Sequence, residues 1–167
     1  MNAENPYSPP RAPVSDPDVR QFSEELAGRG ARLGAFIIDS LLLGLALAPL
    51  VGTYYGERAI QGELDMSDAL GMVFASLVGF LVLNGYLLHK HGQTIGKRLL
   101  GIRIVSASDG QLVALGRLFG LRYVPVQLVG LLPFIGNFLW FVDALFIFRE
   151  DRRCLHDLIA GTKVVKA

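Results

Sequence analysis

The chain has 167 residues, 51% of them hydrophobic, with a positive mean hydropathy and a formal net charge of +1. Near-balanced charge excludes a whole-chain nucleic-acid binder, and a lone cysteine, Cys154, excludes an internal disulfide and a metal site built from cysteines. The apolar residues are gathered into long runs, which marks a membrane protein rather than a soluble domain.

The first residues, MNAENPYSPPRAPVSDP, hold five prolines between positions 6 and 17 and no apolar core with a cleavage site. Residues 1–18 read as a disordered Pro-rich tail, not a secretory signal, and residues 19–167 as one membrane domain. Ser15 or Asp16 can cap a helix with Pro17 in its first turn. Val19, Phe22 and Leu26 then share one face, so a short amphipathic helix at the membrane surface is expected.

Residues 33–53 form the first expected span and residues 69–88, which hold no charge, the second. The connection YYGERAIQGELDMSD is polar and acidic. Residues 112–148 are apolar apart from Arg117, Arg122 and Asp143. At about 55 Å of helix this region is too long for one crossing of about 30 Å. LLPFIGN breaks it, giving spans at about 113–132 and 134–149. In the loop between the hairpins Thr94 can cap a short basic helix, and GIRIV reads as a strand. GTKVVK is a similar run, able to pair with it.

Charge then sets the orientation. Four Lys/Arg lie up to Arg32, four in residues 89–111 and five in residues 149–167, while residues 54–67 hold only Arg58. Basic segments stay cytoplasmic. The expected fold is therefore an all-α membrane protein of four transmembrane helices in two hairpins, with both termini inside.

Two sets of small residues recur at four-residue spacing: Gly44, Ala48 and Gly52 in the first span, and Gly71, Ala75 and Gly79 in the second. Such stripes allow close helix packing in lipid. The spans are antiparallel and the stripes lie at one depth, so Gly44 is expected near Gly79 and Gly52 near Gly71.

Asp39 lies about 10 Å beyond Arg32 along the first helix, on nearly the same face. Arg32 can reach the headgroups; Asp39 cannot. By depth, Asn84, Arg122 and Asp143 fall in the same cytoplasmic half. Intramembrane ionisable groups face the bundle interior and pair with one another. One polar cluster, Arg32–Asp39–Asn84–Arg122–Asp143, is expected, with Arg117 and Tyr123 at its rim. It would either lock the helices together or serve cations and protons.

Other signals carry less. GQTIGKR has three residues between its glycines and Arg98 where a phosphate loop needs Ser or Thr; it reads as a basic patch against headgroups. His89 and His91 do not share a helical face, so no metal site is expected there. His156 and Asp157 suggest capping or tethering. No catalytic constellation and no cofactor motif emerges.

RLGAFIID, GQTIGKRLLGIRIVSASDG, VDALF and RRCLHDLIAGTKVV together resemble the RDD family of bacterial membrane proteins, from about residue 28 to residue 166. The family is named for one arginine and two aspartates. The resemblance implies that Arg32 and Asp39 are the first two, with Asp143 favoured over Asp157 as the third. It also implies a multi-pass protein of the bacterial plasma (inner) membrane, in a family whose biochemical role is largely undefined, with transport of some ligand suggested and sodium–proton antiport reported for some members. Two functions are carried forward. One is a transport or cation/proton-exchange component, expected to be a homo-oligomer because four helices make a thin wall around a pathway. The other is a non-transporting scaffold, offering its basic face to a cytoplasmic or membrane protein partner. Beyond these the bilayer is the partner, and no nucleic acid is expected.

Overall fold

The computed structural model describes residues 25–132 and 135–167. The tail, and Val19 and Phe22 of the expected amphipathic helix, lie outside the described residues. Leu26, assigned to that helix, is instead extended and bridged to Val165.

Helix α1, Arg29–Leu50, continues through a π turn, Val51–Tyr55, into α2, Gly56–Gln61. Pro49 lies just before the π turn; it has no N–H to give the helix ladder. Gly62, at φ 73°, ends the run in the left-handed conformation that a side chain would disfavour. Helix α3 spans Met66–His91. Its start is fixed by Asp65, whose carboxylate accepts from the Asp68 N–H while the Asp68 carboxylate accepts from the Asp65 N–H. Arg58 holds Asp68 at 3.0 Å and ties the loop to α2. Both helical runs outrun the spans expected from hydropathy; at the start of α3 the Asp65–Asp68 capping box carries the helix beyond the apolar stretch.

These are two helices long and apolar enough to cross a membrane. Their apolar side chains point outward: Leu45 is 72% exposed, Phe74 70% and Val82 79%. A soluble protein's core helix would bury those residues, so this exposure belongs to a lipid-facing surface.

The short helix α4, Ile95–Leu99, follows, capped by Thr94, whose hydroxyl accepts from the Lys97 N–H at 3.2 Å. Strand β1, Ile102–Ser106, comes next. Helix α5, Leu115–Leu118, runs through a second π turn, Phe119–Tyr123, into α6, Val124–Val129. Helix α7, Ile135–Leu145, ends in a 3-10 turn, Phe146–Phe148. At 1.5 Å per residue these last two helical stretches are each about 20 Å long, shorter than a bilayer core of about 30 Å. Helix α8, Leu155–Ala160, and strand β2, Thr162–Lys166, complete the chain.

β1 and β2 pair antiparallel, with Ile104 opposite Val164. Residues 25–27 add to the far edge of β2: Ala27 N–H donates to Val164 O at 3.0 Å and Lys166 N–H to Glu25 O at 2.9 Å. The sheet gathers the start of α1, the end of α3 and the last residues of the chain at one end of the molecule. The packed core is here, with Ala27, Ala35, Leu88, Ile102, Ile104, Leu118 and Val164 all buried.

Candidate functional site

The five residues expected to form one cluster are divided into adjoining sets, because α4 and α8 fold back against the helix ends and supply partners of their own. Arg32 and Arg122 do come together, on Asp157. Arg32 Nη2 pairs with Asp157 Oδ2, and Arg122 Nη1 with Asp157 Oδ1. Asp157 is fully buried, in the first turn of α8. Its carboxylate also accepts from the Cys154 N–H at 3.2 Å and from the Thr162 hydroxyl at 3.1 Å. Arg122 Nη1 reaches Thr162 as well, at 2.9 Å. Arg32 Nη1 donates to the carbonyl of Arg152. Arg152 has φ 50°, and among the described residues it is the one non-glycine residue at positive φ. Of the two aspartates weighed as the third named residue, Asp157 is thus the one that both arginines hold.

Among the described residues, Asp39 is held by α4 rather than by an arginine. Its Oδ1 accepts from the Gly96 N–H at 2.8 Å and its Oδ2 from the Thr94 hydroxyl at 2.5 Å. Lys97 Nζ stands 4.0 Å from Oδ2. α4 can come this close because residue 96 is glycine: a Cβ there would collide with the Ala35 carbonyl of α1. Burial and the Arg122 charge lower the Lys97 pKa to about 7. Asn84 adds a second tie to α4, accepting from the Ile95 N–H at 2.9 Å while donating to Phe80 O at 3.3 Å.

Asp143 is paired with a histidine rather than an arginine, although it lies near enough to Arg32 and Arg122 to interact with their charges. It accepts from the His156 N–H at 2.9 Å and faces His156 Nδ1 at 2.7 Å. Burial and the Arg122 charge bring the His156 pKa down to about 4, so the imidazole is neutral at pH 7. Burial pushes the Cys154 thiol up. At the rim, Tyr123 lies tilted against Phe80, with ring centroids 4.4 Å apart, and Arg117 is exposed.

The glycine stripes do not meet each other. A Cβ at Gly79 would touch Leu43 and Leu47 of α1, and one at Gly71 would strike the Tyr55 hydroxyl, whereas Gly44 and Gly52 face open space. Large side chains of α1 therefore lie on the small residues of α3. Ala75 lines a cavity with Leu47 and Tyr55, and Ala48 lies on the open side of α1 with Gly44 and Gly52.

Thr94, Lys97, Thr162, Cys154 and His156 were not placed in the polar cluster from the sequence. The signal for Thr94 and Lys97 was present: GQTIGKR puts a hydroxyl, a glycine and a lysine within four positions at the membrane edge.

The chain is 40% identical over 141 residues to the uncharacterized protein YckC of Bacillus subtilis (strain 168), covering 84% of this chain and 85% of YckC. It is 35% identical over 97 residues to an uncharacterized protein of Haemophilus influenzae, covering 56% of this chain and 59% of that one. No solved structure matches. The profile of the RDD family matches residues 26–161, which include Arg32, Asp39, Arg122 and Asp157, and the chain belongs to that family.

Proposed function

We propose that this protein is a cation/proton-exchange component of a bacterial plasma membrane, with Asp39 and Lys97 as the exchanging pair. The observation that carries this reading is their geometry: a carboxylate inside a spanning helix faces, at 4.0 Å, a lysine with a pKa of about 7. When Lys97 releases its proton, Asp39 keeps the Thr94 hydroxyl and the Gly96 N–H as partners among the described residues. A monovalent cation can then replace the ammonium beside the carboxylate; reprotonation of Lys97 expels it. The Arg32–Asp157–Arg122 set, in which two guanidinium groups share one fully buried carboxylate, is the fixed frame against which this pair works.

The topology proposed with it is four spans in two hairpins, both ends cytoplasmic. It is supported by the basic residues at the sheet-bearing end and by the return of residues 25–27, the loop after α3 and β2 to that same end. Because the last two helical stretches are short, a second copy is needed to complete a pathway.

A scaffold reading rests on the same saturated frame and on exposed Lys90 and Arg98 at the basic face. Vesicles carrying the purified protein separate the two. Sodium or potassium gradients should drive proton movement that rises through about pH 7 and is lost in Asp39→Asn. Absence of proton movement in wild type with either cation would leave the scaffold.

A further inference from the structure

We propose that Asp143, Cys154 and His156 form a binding site for a borderline-soft divalent cation, of which zinc is the best fit, at the junction of α7 and α8. The site is distinct from the Asp39–Lys97 pair and does not depend on exchange.

The three side chains offer a carboxylate oxygen, a sulfur and an imidazole nitrogen, and these atoms all lie within 4.8 Å of one another. A tetrahedral zinc centre has ligand distances of about 2.0–2.3 Å, which sets its ligand atoms about 3.3–3.7 Å apart. The Asp143–His156 edge, at 2.7 Å, must open slightly, and the edges to sulfur need at most modest closure. Both are within reach of side-chain rotation, without moving the helices. The donor set is chemically selective: thiolate with imidazole favours zinc over magnesium or calcium, which take oxygen ligands. Three protein ligands leave a fourth position open.

Two further contacts fit a metal site. His156 Nδ1 faces Asp143, and its other nitrogen, Nε2, lies 3.8 Å from Asp157 Oδ1. A metal-bound histidine commonly directs its second N–H at a carboxylate, which orients the ring. Burial raises the Cys154 thiol pKa, and Arg32 Nη2, 3.7 Å from Sγ, acts against that rise and towards the thiolate that must bind the metal. Charge allows it too, since a dication would be neutralised by the Asp143 carboxylate and the Cys154 thiolate. The bland alternative is that Asp143 merely accepts from His156 and that Cys154 fills space. On that reading the sulfur caps the start of α8 and accepts from Arg32, so a metal titration is what separates the two.

Cobalt reads the site directly. Untagged full-length protein in detergent, titrated with cobalt(II), should give one equivalent of a near-ultraviolet thiolate-to-cobalt band, displaced by zinc. Cys154→Ser should abolish the band, and His156→Ala and Asp143→Asn should each weaken cobalt binding at least about tenfold. Circular dichroism checks that each variant folds, and His156→Gln serves where His156→Ala does not. No band in folded wild type overturns the proposal. So does a band of unchanged affinity in both the His156 and Asp143 variants, which would leave the metal on the thiol alone. A response that persists in Cys154→Ser and is lost in His89→Ala/His91→Ala also overturns it, as adventitious binding at the membrane edge.

Discussion

Lys97 holds its ammonium where burial and the Arg122 charge both disfavour it, and Asp39 at 4.0 Å compensates only in part. In the unfolded chain its pKa is near 10.5, and in the folded protein about 7. Between those values the unfolded chain binds the extra proton, so stability rises as pH rises from about 7 towards 10.5. Below about pH 7 both states are protonated and this contribution is flat. Thermal unfolding in detergent between pH 6 and pH 9.5 should show that rise in wild type and lose it in Lys97→Met. A flat wild-type curve, or one that falls over this window, contradicts the placement of Lys97. The lysine itself was visible in GQTIGKR; its burial was not. Burial comes from the glycine at 96, which lets α4 lie against Ala35, and no periodicity in the loop reports that approach.

At the scale of elements, α1 and α3 show what depth counting can and cannot give. Counting residues from the membrane edge set both small-residue stripes at one depth. Depth says nothing of rotation about the helix axis, where one residue is about 100°. Gly79 is covered by Leu43 and Leu47, while Gly44 is turned to open space. Leucine at position 79 should therefore overpack the α1–α3 contact, at a cost of about 1–3 kcal/mol. Gly44→Leu should leave the single chain's thermal midpoint nearly unchanged. Equal losses in the two variants would mean that the stripes face each other after all. The elements at the sheet-bearing end were more legible. Alternation in GIRIV and GTKVVK gives the β1–β2 pair, and Thr94 gives the start of α4, because strand period and capping are local. Leu26 was misread because its strand partner, Val165, lies near the other end of the sequence.

Across the whole molecule, Asp157 ties together parts that lie far apart along the chain. Arg32 belongs to α1, Arg122 to the π turn before α6, Thr162 to β2, and all three converge on one fully buried carboxylate in α8. From the sequence this aspartate looks like a loop residue beyond the last span, and only the return of α8 beneath the helix ends makes it central. Removing its charge leaves two buried guanidinium groups with no carboxylate between them. Breaking a buried pair by deleting one partner costs about 3–5 kcal/mol, far more than the net worth of the pair. Asp157→Asn should therefore lower the thermal midpoint sharply and expose the sheet end to protease. Asp151→Asn is the control: its bond to Arg149, at 3.3 Å, is exposed, with side chains 52% and 37% accessible, and such pairs contribute little. If Asp157→Asn unfolds at the same temperature as Asp151→Asn, the arginines do not depend on Asp157, and the sheet end and the helices must be held together by their apolar core alone.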